Sequence, residues 1–173
     1  MYENIKRHIR DVPDFPQKGI LFKDITTALK DADCFHQIID AFYEIYKETP
    51  IDKIAGIESR GYLIGSALAY KLGCGLVLLR KKGKLPAETL HEDYILEYGA
   101  ASLEVHTDAV EKGERVLVVD DLLATAGTAE AACKLIERLE GQIVGAAFLI
   151  ELLDLGGRKI LEKHAQTTSL LTY

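Results

Sequence analysis

The stretch VLVVDDLLATAGT, residues 116–128, joins an apolar run to two carboxylates and a loop of small and hydroxylated residues. Its apolar start is typical of a central strand that helices cover on both faces. Asp120 and Asp121 come where that strand is predicted to end, and a helix is predicted over about 128–139. Backbone N–H groups of a loop that opens a helix can face an anion. The stretch therefore predicts a strand, a ligand-facing loop and a helix in succession.

Two interpretations of this stretch stay open on the residues alone. In one, the loop holds a phosphate, and Asp120 and Asp121 face sugar hydroxyls or a metal bound to a polyphosphate. In the other, the two acids only end the strand and cap a turn, while threonines cap the helix. The loop matches neither GxxxxGK[ST] nor GxGxxG, so neither a P-loop nor a dinucleotide fingerprint is supported.

The same alternation of strand and helix continues outward from this stretch. Short apolar runs at 54–58, 75–79 and 143–152 are separated by segments with helical spacing of apolar residues. This order predicts a doubly wound α/β fold with a mainly parallel sheet flanked by helices. Residues 94–105 alternate with period two around Gly99, which predicts an inserted β-ribbon.

Length, charge and cysteine content limit the class of protein. The 173 residues are expected to form one domain. The net charge of -6 argues against broad binding to nucleic acid or to an anionic membrane. The three cysteines are far apart, and the five histidines have no metal-ligand spacing. With no secretion signal or membrane span visible, a cytoplasmic protein is expected.

Two further segments follow predicted strands and should meet the first stretch at one edge of the sheet. RKKGKLP, residues 80–86, is either a polyanion clamp or a solvated loop. In ESRG, residues 58–61, Arg60 either orients a ligand or pairs with Glu58. Glu97 is a single carboxylate on the ribbon, and its spacing alone assigns it no role.

Six motifs resemble, in order and in spacing, those of the type I phosphoribosyltransferases, and most closely the adenine-specific branch of that family. They are DFPQKGILFKDIT, IAGIESRG, RKKGKLP, LEYG, VVDDLLATAGT and the IEL segment at 150–152. The resemblance covers nearly the whole chain. It implies transfer of the 5-phosphoribosyl group from phosphoribosyl pyrophosphate to N9 of adenine, which forms AMP and pyrophosphate in purine salvage.

The resemblance also implies an architecture and partners. It implies one domain over residues 1–173, in which residues 1–30 form a small base-binding hood and residues 80–106 form a flexible loop and ribbon. It implies Mg²⁺ held mainly by substrate, without a direct protein ligand, and a homodimer.

Site residues follow from the resemblance position by position. The 5'-phosphate and ribose would be bound by Asp120, Asp121, Ala124, Thr125, Ala126, Gly127 and Thr128. Pyrophosphate would be bound by Glu58, Ser59, Arg60, Arg80, Lys81 and Lys84. Adenine would be bound by Leu21, Phe22, Lys23, Arg60 and Leu152. Glu97 would exchange a proton with the purine, with Tyr98 beside it in the loop.

The chain departs from the family pattern at two places. Ala126 stands where the family usually has glycine, and a positive φ there would cost alanine about 1 kcal/mol. Ala87 and Glu88 replace a Gly-Pro pair after the basic segment. Two rival functions also stay open: transfer to another purine or pyrimidine, and a nucleotide-sensing regulator without turnover. Against the regulator, no helix-turn-helix or basic nucleic-acid face is evident.

Overall fold

The computed structural model describes residues 2–96 and 99–173. Its helices are α1 (Glu3–His8), α2 (Thr26–Leu29), α3 (Ala32–Tyr46), α4 (Glu58–Leu72), α5 (Gly127–Arg138) and α6 (Gly157–Leu161), and a 3-10 turn spans Leu153–Leu155. Its strands are β1 (Arg10–Pro13), β2 (Leu21–Asp24), β3 (Lys53–Ile57), β4 (Gly75–Lys81), β5 (Thr89–Leu96), β6 (Gly99–His106), β7 (Arg115–Leu123), β8 (Gln142–Glu151) and β9 (Thr167–Thr172). Within these ranges, no helix is long and apolar enough to cross a membrane.

Seven strands form one sheet in the order β5-β6-β4-β3-β7-β8-β9. The five strands from β4 to β9 in this order are parallel, whereas β6 is antiparallel to both β4 and β5. The predicted α/β fold and its β-ribbon are thereby confirmed. Chain order reverses between β3 and β7, and ligands bind in such sheets at the strand ends beside the reversal.

Strand β7 shows why the sheet has a hydrophobic layer on each face. Val116 and Val118 pack in a cluster with α5, while Leu117 and Val119 pack in a second cluster with α3 and α4. Alternate residues of a strand point to opposite faces, so an uninterrupted apolar run is required where helices cover both. This packing fixes the carboxyl end of β7 at the centre of the molecule.

Three element boundaries differ from the sequence prediction. β7 continues through the two acids to Leu123, because Leu122 and Leu123 pair with β8. The run predicted over 54–58 ends as a strand at Ile57, and helix α4 begins at Glu58, so Arg60 lies in its first turn. β4 extends to Lys81 because Arg80 and Lys81 pair with β6. In each case a neighbouring strand or helix turn extends the element beyond its apolar core.

The N-terminal segment forms a separate two-stranded sheet. Arg10 to Pro13 pair antiparallel with Leu21 to Asp24. Helix α1 ends at His8, because the chain from Arg10 pairs as β1. This two-stranded sheet lies within the predicted hood, and from here on the word hood refers to it. The turn between its strands contributes Pro16 and Ile20 to the central cleft.

Candidate functional site

The loop between β7 and α5 presents free backbone donors at a helix N-terminus. The first intrahelical bond of α5 runs from the Glu130 N–H to the Ala126 carbonyl, at 2.7 Å. The N–H groups of residues 127–129 thus have no intrahelical acceptor, as at any helix start. Ala126 is the N-cap residue and no side chain caps α5. The interpretation in which threonines cap this helix is therefore wrong, and the donors line the cleft, where such groups can bind an anion.

Ala126 adopts the left-handed conformation, with φ 73° and ψ 0°. This backbone costs an L-residue about 1–2 kcal/mol, which is why glycine is common at such positions. The alanine side chain is only 5% exposed and belongs to the cluster on the α5 face. Burial of this methyl group stabilises the fold by about 0.8 kcal/mol and so offsets part of the backbone cost.

We expect Ala126→Gly to leave stability nearly unchanged. Relief of about 1–2 kcal/mol of strain is offset by about 0.5–1 kcal/mol of glycine backbone entropy and about 0.8 kcal/mol of lost methyl burial. Urea unfolding should show a free-energy change below about 0.5 kcal/mol with an unchanged m-value. Glu140→Gly is the control, since Glu140 also has positive φ, 61°, but a mostly exposed side chain, and it should gain more stability. A large rise in the free energy of unfolding of Ala126→Gly would show that burial of the Ala126 methyl group contributes nothing to stability.

The two carboxylates at the end of β7 have different environments. Asp121 is 3% exposed, and its Oδ2 lies 2.8 Å from Arg60 Nε. The Asp121 backbone N–H donates to Asp120 Oδ1 at 2.8 Å. Desolvation raises the pKa of the Asp120 carboxyl well above its ordinary value, and the Asp121 carboxylate raises it further. Arg60 therefore pairs with Asp121, and the alternative pairing with Glu58 is wrong.

A glycine in α4 allows the helix to approach the acid pair. A Cβ at Gly61 would lie 2.8 Å from the Val119 carbonyl oxygen and 3.2 Å from Asp120 Oδ1. Any larger residue would push α4 away from β7 and separate Arg60 from Asp121. Gly61 is thus required for the close packing of α4 on β7.

These groups line one cleft of about 360 Å³. Its walls are formed by Pro16, Ile20, Arg60, Asp120, Asp121 and residues 122–129. All seven residues predicted to bind 5'-phosphate and ribose are among them. Sequence reasoning did not single out Pro16, Ile20, Leu122 or Leu123, whose side chains carry no chemistry that distinguishes them from core residues.

The residues predicted to bind adenine are only partly gathered at the cleft. The Phe22 ring centre lies 5.4 Å from Arg60 Cζ, and Phe15 packs edge-on against Phe22. Leu21 is half exposed, and the Leu152 N–H donates to the Leu123 carbonyl at 2.9 Å, at the end of β7. The Lys23 ammonium contacts Asp11 and an aromatic ring, so in this structure it does not reach the cleft.

The basic segment is joined to the start of α4. Glu58, at φ 49°, accepts a hydrogen bond from the Lys81 backbone N–H at 2.6 Å. Non-glycine residues at positive φ are uncommon, and such strain is often found at functional sites. Arg80 Nη1 donates to the Lys84 carbonyl at 3.4 Å. The predicted convergence of the three segments is thus present, although the cationic groups of 80–84 do not line the cleft.

The remaining predicted pyrophosphate residues do not line the cleft. Ser59, Lys81 and Lys84 are exposed to solvent. The predicted catalytic residues Glu97 and Tyr98 lie outside the described residues.

The donors at the cleft are compatible with a weakly protein-bound divalent ion. Among residues 2–96 and 99–173, no three His, Cys, Asp or Glu side chains are grouped as metal ligands. Asp120 and Asp121 are the carboxylates in the cleft wall, and Arg60 already compensates one of them. Such a donor set fits Mg²⁺ that keeps substrate oxygens and water as most of its ligands.

Free donors at a helix N-terminus beside an acid pair, at the switch point of a parallel sheet, are typical of an α/β protein that binds a phosphorylated ligand. Residues 26–170 match the family model described as phosphoribosyl transferase domain. A relative from Brachyspira hyodysenteriae named adenine phosphoribosyltransferase is 58% identical over 160 residues, covering 92% of this chain and 94% of its own. The chain belongs to the adenine phosphoribosyltransferase family.

Solved structures agree with this assignment. The adenine phosphoribosyltransferase of Thermoanaerobacter pseudethanolicus superimposes with a TM-score of 0.96 at 51% identity, covering 100% of both chains. The enzyme of Saccharomyces cerevisiae, solved with an imino-altritol bisphosphate and adenine, gives a TM-score of 0.93 at 40% identity over 98% of both chains.

Proposed function

We propose that the chain transfers the 5-phosphoribosyl group from phosphoribosyl pyrophosphate to N9 of adenine, with release of AMP and pyrophosphate. The observation that carries this proposal is the shared cleft of the donor cradle at 127–129 and the acid pair at 120–121. A phosphate would be repelled by the acids, whereas a molecule with a phosphate at one end and ribose hydroxyls beside it satisfies both groups. Membership of the adenine phosphoribosyltransferase family supports this substrate.

The roles within the cleft follow from its donors and acceptors. The N–H groups of residues 127–129, with the hydroxyls of Thr125 and Thr128, bind the 5'-phosphate. The carboxylates of Asp120 and Asp121 accept hydrogen bonds from the ribose hydroxyls. Ala124 and Ala126 leave room for the phosphate, because neither side chain extends beyond a methyl group.

Pyrophosphate would be held at the joined ends of β3 and β4. Arg60 has its side chain 46% exposed, so part of its guanidinium is free to bind phosphate oxygens while Nε stays on Asp121. Glu58 fixes the backbone at Lys81, and Ser59, Arg80, Lys81 and Lys84 supply the other predicted contacts. Movement of residues 80–84 toward the cleft would bring these cations to the leaving group and exclude water.

Adenine would lie between the hood and the segment after β8. Phe22 would stack on the base and Leu21 would bind it through its backbone, opposite Leu152. Arg60 lies beside the Phe22 ring, 5.4 Å from its centre, and can contact both base and pyrophosphate. The yeast relative was solved with adenine, which supports a base site in this fold. Residues 1–30 are accordingly proposed as the base-binding segment and residues 80–106 as the closing loop and ribbon.

The chemistry requires a proton acceptor for the base. As the bond from C1' to pyrophosphate breaks, positive charge develops on the ribose, and attack through N9 requires the purine to lose a proton. Glu97 is proposed to accept that proton, with Tyr98 beside it. Bound Mg²⁺ would neutralise charge on the departing pyrophosphate.

The proposed reaction is tested by product analysis. Purified protein incubated with Mg²⁺, adenine and phosphoribosyl pyrophosphate should form AMP and pyrophosphate in equal amounts, measured by chromatography and by a coupled pyrophosphate assay. Free ribose 5-phosphate and pyrophosphate without AMP would instead indicate a hydrolase, and no turnover would favour the regulator.

We also propose a homodimer through an exposed apolar surface on α4 and β4. Leu63, Leu76 and Leu78 are 49%, 39% and 41% exposed. A Cβ at Gly65 of α4 would lie 3.7 Å from Leu76 Cδ1, which places this helix and strand side by side. Leu76 and Leu78 alternate along β4 and so share one face of that strand, and exposed apolar surface of this kind is typical of a protein interface. The same strand continues to Arg80, so a second copy would also support the basic segment.

We expect Leu78→Lys to convert the dimer to a monomer, because an unpaired charge would be buried at the interface. Sedimentation velocity should show the dimer for the unmodified chain and the monomer for the variant. Ile45→Lys is the control, since Ile45 is also 42% exposed but lies on α3. An unmodified chain that sediments as an active monomer would contradict the proposal.

A cytoplasmic location is proposed from cysteine chemistry. All three cysteines are free thiols, and Cys34 and Cys133 are buried. Free thiols fit a reducing compartment.

A further inference from the structure

We infer that Tyr173 is a positioning residue for the base-binding side of the cleft, because it joins the strand that carries Phe22 to the segment that carries Leu152. The inference rests on the proposed function, which assigns Tyr173 no role. It also gives Lys23 a role different from direct contact with adenine.

The Tyr173 ring holds two cations of the N-terminal segment. Lys23 Nζ lies 3.9 Å from the ring centre, and Lys6 Nζ of α1 lies 4.9 Å from it. Both distances are within the range of cation–π attraction, which is stronger for a desolvated cation. The Lys23 side chain is only 8% exposed, and its ammonium also lies 2.7 Å from Asp11 Oδ1 of β1. Lys23 is thus held between the hood's other strand and Tyr173.

The backbone of Tyr173 holds the opposite wall of the proposed base site. Its N–H donates to the Glu151 carbonyl at 2.9 Å, and its carbonyl accepts from the Leu153 N–H at 2.9 Å. These two bonds flank Leu152, whose own N–H is bonded to the Leu123 carbonyl at the end of β7. One residue therefore contacts both walls, through its ring on one side and its peptide groups on the other.

Strand geometry explains how this contact would orient Phe22. Successive side chains of a strand point to opposite faces, so Lys23 and Phe22 of β2 point in opposite directions. When Lys23 is drawn onto Tyr173, Phe22 is turned toward Arg60, 5.4 Å from its ring centre. A two-stranded sheet is only marginally stable alone, so the hood depends on such contacts for a fixed position.

The test compares Tyr173→Leu with Tyr173→Phe. Loss of the ring should raise the KM for adenine about tenfold, which corresponds to the loss of a desolvated cation–π contact. The KM for phosphoribosyl pyrophosphate and kcat at saturating adenine should stay within about twofold. Tyr173→Phe keeps the ring and should restore the normal adenine KM. Equal changes in both KM values, or no rescue by phenylalanine, would overturn the inference.

Two further variants separate positioning from other effects. Tyr43→Leu removes a similar contact, from Lys71 Nζ at 4.9 Å, away from the hood, and should leave the adenine KM unchanged. Lys23→Met should reproduce the effect of Tyr173→Leu, and the double variant should add little to either. If Lys23→Met raises the adenine KM while Tyr173→Leu leaves it unchanged, Lys23 contacts the base directly and the inference is wrong.

Hydrogen exchange provides a measurement that does not depend on activity. In Tyr173→Leu, the amides of β1 and β2 should exchange at least about tenfold faster while those of β3 and β7 keep their protection. Unchanged hood amides would overturn the inference even if the protein is active. If the unmodified chain forms no AMP, the proposed function fails, and the exchange data still decide whether Tyr173 holds the hood.

Discussion

Glu97→Gln is expected to lower the rate of AMP formation by about two to four orders of magnitude, which is the usual contribution of a positioned general acid or base. The amide cannot accept the purine proton, yet it preserves the size of the side chain. The effect should appear in single-turnover experiments, where product release does not hide the chemical step. Binding of both substrates should change little.

Glu92→Gln is the matched control for this variant. Glu92 is a carboxylate of strand β5, and its side-chain oxygens lie 3.4 Å from Arg138 Nη1 and 3.8 Å from Lys134 Nζ on α5. Its substitution should weaken the contact of the ribbon with α5 and leave the single-turnover rate within about twofold. An undiminished rate in Glu97→Gln would remove Glu97 from the mechanism.

Asp120→Asn should weaken binding of phosphoribosyl pyrophosphate while stabilising the free protein. Loss of a hydrogen bond to a charged group costs about 1.5–3 kcal/mol, so the dissociation constant should rise about ten- to a hundredfold. The asparagine keeps an oxygen for the Asp121 N–H, which lies 2.8 Å from Asp120 Oδ1. The change also removes a desolvated carboxylate beside another one. Titration calorimetry and thermal unfolding measure the two effects separately.

The stability gain should depend on pH with a definite sign. The folded protein raises the pKa of Asp120 above its ordinary 3.8. The contribution of this group to the free energy of unfolding is therefore greatest below pH 3.8 and is lost as the pH rises toward the folded pKa. The Tm advantage of Asp120→Asn should therefore be absent near about pH 4 and increase above it. A lower Tm at neutral pH would mean that Asp120 has a structural role instead.

Asp121→Asn provides the contrast within the same pair. It should also weaken phosphoribosyl pyrophosphate binding, but it removes the partner of Arg60, which lies 2.8 Å away. Because Arg60 is half exposed, the loss of stability should be only about 1 kcal/mol. Opposite effects on Tm with similar losses of binding would identify both acids as ligand groups.

The centre of the molecule could be predicted because its signals are local. An apolar run on both faces of β7 requires helices on both sides, and the parallel order brings the ends of β3, β4 and β7 together. The cradle likewise follows from small residues before a helix. The sequence showed what a positive φ at Ala126 would cost, but it could not predict the angle itself, which depends on how α5 packs.

Features that depend on distant partners could not be predicted. The extension of β7 to Leu123 requires pairing with β8, and the partner of Arg60 is set by how closely Gly61 lets α4 approach β7. The direction of Lys23 depends on Tyr173, which is 150 positions along the chain. No local pattern encodes such contacts, because each results from the packing of elements that are remote in sequence.

The most direct test of the central claim compares kcat/KM for adenine, hypoxanthine, guanine and orotate at one concentration of phosphoribosyl pyrophosphate and Mg²⁺. A site that hydrogen-bonds one base can reject others by about 10⁴-fold or more, because its polar groups are then left unpaired. The kcat/KM for adenine should therefore be at least about a hundredfold higher than the kcat/KM for each of the other three bases. Turnover of hypoxanthine, guanine or orotate with adenine inert would contradict the proposed function.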